Sequence, residues 1–360
     1  MTGPGRLGSR LTRPVLALAA GAAVAILPAA CSGTVSHPSG PQPEVSGPLH
    51  GWTPPRPEEL SPLADYQAAV TAAVAVHLHV WIETDLVKRW EEGPAWFRTA
   101  VSRVAELASQ PGVVGIKIAD ELGYNDGMNS ASRIRKFLSD AARALHAAAP
   151  GKLILVDMVV PQLGCLPGHQ AAGSPAASCA SREEAAYPQL ALNDVDGYLR
   201  MHAIDVLDLS TYLLPADTYQ GWGTNPDSAQ VAAWQEVSKR GWPGLVRVQA
   251  RKALAHPGTY LGGPSASSAD VQTYVGIPLA HDAHAVDIWT WNQLYEGQEY
   301  HLMNPGMRPN ALWDQLERLR QAGDVLFTHF SPHSVIVSLH SDLAEIATVF
   351  TDVFLPAGTG

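Results

Sequence analysis

The sequence predicts an α/β protein of the (β/α)8 barrel class, on three observations. From residue 65 onward Ala-rich helical stretches alternate with short apolar runs, which implies parallel strands joined by helices. Each run has one aliphatic face and one polar or aromatic face. A doubly wound sheet is covered by helices on both sides and keeps its central strands aliphatic throughout, whereas a barrel carries helices only outside and tolerates polar and ionic side chains within.

The chain opens on Arg6, Arg10 and Arg13 with no acidic residue, then runs apolar and Ala-rich from Pro14 to Ala30. This is the order of charged and apolar regions in a signal peptide. Gly21 and Pro28 interrupt the run, which falls short of the about 20 unbroken apolar residues of a membrane span. Residues 1–30 are therefore expected to be removed. The stretch Leu27-Pro28-Ala29-Ala30-Cys31 resembles the lipobox of bacterial lipoproteins. The resemblance implies a lipid on Cys31 and an extracytoplasmic location, anchored to the cell membrane or secreted. Residues 31–60, rich in Ser, Gly and Pro, have the composition of a flexible tether.

Strands are expected at 77–83, 113–121, 152–160, 204–212, 245–251 and 285–292, with helices near 65–76, 91–109, 130–148, 184–201, 226–240 and 268–282. Successive side chains of a strand point to opposite faces. Leu78, Val80 and Ile82 thus oppose His77, His79, Trp81 and Glu83, and Ile116 and Ile118 oppose Gly115, Lys117, Ala119 and Glu121. The later strands set Leu207 and Leu209 against Asp208, Ser210 and Tyr212, Val246 and Val248 against Arg247, Gln249 and Arg251, and Val286 and Ile288 against Asp287, Trp289 and Trp291. Two further strands are expected before residue 65, around 48–52, where patterning is poor and the barrel is incomplete or irregular. A helix at 310–321 ends a barrel domain of 61–323, and alternating runs at 335–340 and 345–350 predict a small β appendage over 324–360.

Barrel active sites lie at the C-terminal ends of the strands. The inward residues nearest those ends are Glu83, Glu121, Tyr212, Gln249, Arg251 and Trp291, with Asn292 just beyond. Glu83 and Glu121 end adjacent strands, and two close carboxylates raise the pKa of one, as a general acid requires. Trp81, Trp289 and Trp291 are candidates to stack on sugar C–H faces. Lys117, Arg247, Asp208 and Asp287 lie lower and read as a structural ion network, because buried charges need partners.

The segment from Gly112 to Glu121 (GVVGIKIADE) resembles the fourth strand of the large retaining clan of barrel glycoside hydrolases, and the run with Trp289, Trp291 and Asn292 is similar to that clan's Trp-bearing eighth strand. In that alignment the six strands are numbers three to eight. The resemblance implies Glu121 as acid/base and Trp289, Trp291 and Asn292 as sugar-binding residues; the strand phase adds Glu83 as a further catalytic candidate and Trp81, Tyr212, Gln249 and Arg251 as substrate-binding candidates. Asp120 stands where the clan has Asn, and Val248-Gln249-Ala250-Arg251 where it has its nucleophile. A second carboxylate is sought among Glu83, Asp157, Asp208 and Glu296. The expected activity is hydrolysis of a glycosidic bond by carboxylate acid/base catalysis; the alternative is a catalytically inactive carbohydrate-binding lipoprotein on a degenerate barrel.

The formal charge is −10, and −13 once Arg6, Arg10 and Arg13 leave with the signal peptide. Such a surface makes nucleic acid a poor partner. The expected partners are a carbohydrate and, through the lipid anchor alone, the membrane; the protein is expected to be monomeric. Cys165 and Cys179, an even pair in an exported chain, read as a disulfide. His77 and His79 open their strand rather than close it, at the wrong end for a barrel metal site, so no metal is expected. No cofactor fingerprint occurs.

Overall fold

Eight parallel strands close into a ring in the computed structural model, which describes residues 63–295 and 297–357. They are β1 (His79–Glu83), β2 (Val113–Lys117), β3 (Leu153–Val159), β4 (Val206–Ser210), β5 (Arg247–Ala253), β6 (Val286–Tyr295), β7 (Leu326–Phe330) and β8 (Asp352–Pro356). Each pairs with its neighbour in chain order, and β8 closes the ring on β1, with His79 opposite Asp352 and Glu83 opposite Pro356. Two short strands, His256–Pro257 and Gln298–His301, pair with each other outside the ring, and the second forms a hairpin with the end of β6.

The expected barrel is present, but two of its strands come from elsewhere in the chain. Cys31, residues 31–60 and the segment around 48–52 lie outside the described residues. The six expected strands are β1 to β6, and the ring is completed by β7 and β8 from the region assigned to an appendage. The runs at 335–340 and 345–350 are not strands: the first is a loop and the second belongs to helix Leu339–Val349. Asp342 explains the loop, since its carboxylate accepts from the backbone N–H groups of Ile336, Val337 and Ser338. Those donors are then unavailable to a strand ladder. β7 and β8 sit between β6 and β1, so the cyclic order of the expected strands three to eight is kept while the chain order is rotated.

The helices follow from spacing. In Ala131–Ala148 the buried residues Ile134, Phe137, Leu138, Ala141, Ala142 and Leu145 recur three and four apart, one stripe of a helix facing the strands. Side-chain caps start others: Ser174 accepts from Ala177 N, Asn225 from Ser228 N, and Asn310 from Leu312 N and Trp313 N. The aliphatic faces of the strands join this outer core.

Inside the ring a separate buried cluster contains Trp81, Leu155, Val206, Phe327 and Phe354. Gly115 leaves room for it, because a Cβ there would stand 2.2 Å from the Trp81 ring. Trp81 is therefore part of the barrel floor, 3% exposed, with its indole N–H donated to Asp352 at 3.0 Å; it is not a stacking surface in a cleft.

The Cys165–Cys179 disulfide is formed, with a Cα–Cα distance of 5.6 Å. It ties the 3-10 turn Pro161–Cys165, which follows β3, to helix Pro175–Ala186. In the chain-entropy model a loop of this size contributes about 3 kcal/mol. Cys179→Ser is expected to lower the melting temperature accordingly, as reduction should in the wild type; an unchanged melting curve after reduction would exclude that contribution.

Candidate functional site

Above the aromatic floor the inward residues of the strands form a buried ionic layer, and the loops add a rim. Lys117, at the end of β2, is fully buried and stands 5.6 Å from the Phe354 ring centroid. Its ammonium donates to Glu83 at 2.7 Å and Asp120 at 3.1 Å, and lies 3.5 Å from Asp157. Arg251, on β5, donates to Glu121 at 3.0 Å and reaches Asp157 at 2.7 Å and Asp120 at 3.3 Å. On the other side His329 of β7 contacts Glu83 through Nδ1 at 2.8 Å and Asp287 through Nε2 at 2.9 Å. With a carboxylate at both ring nitrogens, the imidazole donates twice as its cation.

Burial and charge push these groups apart in acidity. Burial would raise Glu83, but the His329 and Lys117 charges outweigh it and hold it at about 2. Burial likewise opposes the charge on His329, yet Asp287 and Glu83 lift it to about 9. For Asp157 burial wins over Arg251 and Lys117, giving about 8. Asp208 is raised well above the usual carboxylate range by burial and by Asp287 and Asp157. Asp157 is thereby pushed toward keeping its proton at neutral pH, and Asp208 is pushed in the same direction. Asp287 is lowered, its burial outweighed by His329. Desolvation of Asp120 is outweighed by Lys117 and Arg251, which hold it well below the usual range.

The expected ion network is thus present with two changes of membership. Arg247 is exposed at the start of β5 and takes no part. His329, absent from the expected set, joins Glu83 to Asp287. Its signal was in the sequence: Phe327 and His329 share one face of a short apolar run, but that run lay in the region assigned to an appendage.

The expected site residues divide. Glu83, Glu121 and Arg251 meet at the rim, yet Glu83 and Glu121 belong to different cations. Glu121 is not on a strand; it sits in a turn at φ 50°, where Asn125 also donates to its carboxylate. Gln249 is 1% exposed within the barrel, and neither of its amide atoms has a hydrogen-bond partner there. It is a core residue of the ring rather than a cleft residue. Tyr212, half-buried beyond β4, packs its ring 5.8 Å from Tyr124, which stacks on Tyr187 at 4.8 Å.

Trp291 also departs from its expected place. The β6–β7 register shifts between Ile288 and Asn292, and such an irregularity reverses the inside–outside phase. Trp291 therefore points into the outer core, 0% exposed, packed on Trp313 and donating to Asp342 at 3.1 Å. Thr290 and Asn292 turn instead toward the mouth. With Gln293, His329, Ser331 and Ser334 they line a cavity of about 280 Å³. Asn292 donates to the Ser334 carbonyl at 2.9 Å, while its buried Oδ1 has no partner. Trp289, half-buried, faces Tyr295 and Tyr300 of the adjoining hairpin at 5.8 and 5.6 Å. Glu296 lies outside the described residues. Among the described residues no group of three His, Cys, Asp or Glu side chains is placed to hold a metal ion.

No family model matches the chain, and no curated protein matches it. Solved structures with a similar course of the backbone include a Rhizobium etli pyruvate carboxylase variant with the allosteric activator acetyl coenzyme-A, at 12% identity and a TM-score of 0.40. The match covers 80% of this chain and 24% of that one. The carboxyl transferase domain of the same enzyme with pyruvate and biocytin matches at 12% identity and a TM-score of 0.40, over 81% of this chain and 41% of that one. The chain thus spans less than half the length of these neighbours.

Proposed function

We propose that the protein is an extracytoplasmic carbohydrate-binding protein on a barrel of the glycoside hydrolase type, and that it holds its ligand without cleaving it. One observation carries the choice between binding and hydrolysis. A carboxylate-pair hydrolase keeps open space between its two carboxyl groups for the scissile bond. Here that space is filled by cations: Arg251 stands between Glu121, Asp120 and Asp157, and Lys117 between Glu83, Asp120 and Asp157. The carboxyl groups that burial makes weaker acids, Asp157 and Asp208, are fully buried beneath them.

A sugar suits the mouth. The cavity beside His329 mixes the hydroxyls and amides of Thr290, Asn292, Gln293, Ser331 and Ser334 with apolar groups of Leu294, Phe330 and Pro356, a lining that suits the polar edges and C–H faces of a sugar, and the Trp289, Tyr295 and Tyr300 rings form a further aromatic group on the adjoining hairpin. The cyclic order, with the strand that precedes Glu121 four places round the ring from the strand that carries Trp289, is consistent with the glycoside hydrolase type. The disulfide and the signal-peptide pattern support export.

Screening the purified protein against polysaccharides and aryl glycosides tests this reading. Binding without turnover is expected, and Trp289→Ala should weaken it about tenfold, the scale of one aromatic stacking contact. Glu121→Gln should leave binding within a few-fold. If the wild type instead hydrolyses an aryl glycoside, and Glu121→Gln slows it about 100-fold with loss of the alkaline limb of the pH–rate profile, Glu121 is an acid/base and the binding-only reading is wrong.

A further inference from the structure

We propose that the protein carries a second carbohydrate site, a cavity on the loops after β3 and β4, and that its ligand is a polymer long enough to occupy this cavity and the mouth together. The kind of ligand rests on the carbohydrate reading of the mouth; the site rests on a separate set of residues.

The cavity measures about 830 Å³, within the range of small-ligand sites. Its floor is a small apolar cluster apart from the main core, to which Leu166, Ala176 and Ala232 contribute, all buried. Trp222 forms a half-buried wall, its ring perpendicular to that of buried Tyr219 at 5.7 Å. Around it Ser174, Thr224, Asp227 and Gln235 supply hydroxyl, carboxylate and amide groups. Asp227 accepts from the Thr273 hydroxyl through Oδ1, and its Oδ2 has no partner among the described residues. No Lys or Arg is among the described residues that line the cavity, so an anion would meet only the opposing charge of Asp227. An aromatic wall, neutral hydroxyls and an amide, and one carboxylate acceptor suit the C–H faces and hydroxyl edges of a neutral sugar.

The walls are fixed in advance. The Cys165–Cys179 disulfide joins the turn that ends beside Leu166 to the helix that opens with Pro175 and Ala176. From helix Ala216–Gly221, the Tyr219 hydroxyl donates to the Gly164 carbonyl at 2.7 Å and accepts from the Leu214 N–H at 3.0 Å, tying the loop after β4 to the turn after β3. A site held in one shape loses less entropy on binding.

Position points to a polymer. β3 and β4 stand four places round the ring from β7 and β8, whose ends contribute Phe330, Ser331 and Pro356 to the cavity of the mouth. Both cavities are built by segments at the C-terminal ends of strands, and they share no lining residue. A single sugar unit can fill only one of them. A chain of several units reaches both, and binding at one then raises the effective concentration at the other.

Native electrophoresis of the full chain through gels holding laminarin, arabinoxylan, galactomannan or pullulan, four neutral soluble polysaccharides, tests this. The wild type is expected to be retarded by at least one of them. A trisaccharide cut from that polymer should compete at least tenfold less well at equal sugar content; equal competition overturns the bridging ligand. Trp222→Ala should weaken retardation at least tenfold. So should Ser228→Arg, which fills the cavity from an exposed position and should keep a melting curve close to that of the wild type. Full retardation of both variants, with loss in Trp289→Ala, overturns the second site and leaves the reading of the mouth in place. Loss in both, with full retardation of Trp289→Ala, overturns the bridging ligand and places the sugar in the second cavity alone. A wild type retarded by none of the four polymers overturns the second site and the carbohydrate reading together.

Discussion

Lys117→Met is expected to lower stability by about 3 to 5 kcal/mol at neutral pH, although the new side chain has nearly the same length and shape. The reason is that the ammonium is fully buried and faces Glu83, Asp120 and Asp157, so its loss leaves carboxylate charge in the barrel without compensation. Burial opposes the charge on Lys117, but these three groups raise its pKa well above the ordinary value, and it stays a cation throughout the accessible range. In the variant Glu83 can relieve the strain by taking up a proton. The deficit relative to wild type should therefore shrink toward about pH 4 and grow toward pH 8, where protonation is costlier. Chemical denaturation of both proteins across that range measures it. A variant as stable as wild type at pH 8 would mean that the ion layer is not held together by this cation.

The second large effect is a stability maximum on the mildly acidic side of neutrality. His329 titrates at about 9 in the folded protein against its ordinary 6.5. Its contribution is complete below 6.5 and is lost as pH rises through 9; at about 1.4 kcal/mol per unit this is roughly 3 kcal/mol. Asp157 acts in the same direction, since at about 8 against 3.8 the folded chain keeps a proton that the unfolded chain has released. Glu83 acts oppositely: held at about 2 against 4.5, it contributes fully above 4.5 and loses that contribution as pH falls toward 2. Stability should therefore be greatest near pH 4.5, where Glu83 is ionised and little of the Asp157 contribution is lost, and decline from there to pH 9, more steeply once His329 begins to titrate above 6.5. His329→Gln should be less stable than wild type in the acidic range, with a shallower alkaline decline. A wild-type melting temperature that stays level from about pH 6 to 9 would contradict the assignment of the imidazolium.

The period-2 rule finds β1 to β6 because each has aliphatic residues on one face and polar ones on the other. The same contrast places Lys117, Asp157, Asp208 and Asp287 inside the ring. It fails at β7, where Leu326, Phe327 and Phe330 put apolar groups on both faces, and it misreads 345–350. There Ile346, Thr348 and Phe350 alternate, but Leu343, Ile346 and Val349 also fit a helical stripe, and Ser338 caps the helix that forms. Short segments that satisfy both periods are decided by tertiary partners, which a single sequence does not display. The mouth was legible in the positions of Glu83, Glu121 and Arg251 but not in their pairing, because ion pairs depend on loops and on neighbouring strands. The error at Trp291 arises from one register shift, which carries the side chain from the inner face to the outer.

The place of β8 has a consequence for the timing of folding. Its two neighbours are β7 and β1, and the contact of Asp352 with His79 spans nearly the whole described chain. Until the segment through Pro356 is available, β1 to β7 can form only an open sheet with unpaired edges, and Glu83 lacks the neighbouring strand that shields its side of the mouth. Closure over so long a separation is slow, since the entropy of joining distant segments is lost before their contacts form. Pairing of the last strand with the first thereby makes closure of the ring, and with it the walling-in of the ion layer, the final event of folding.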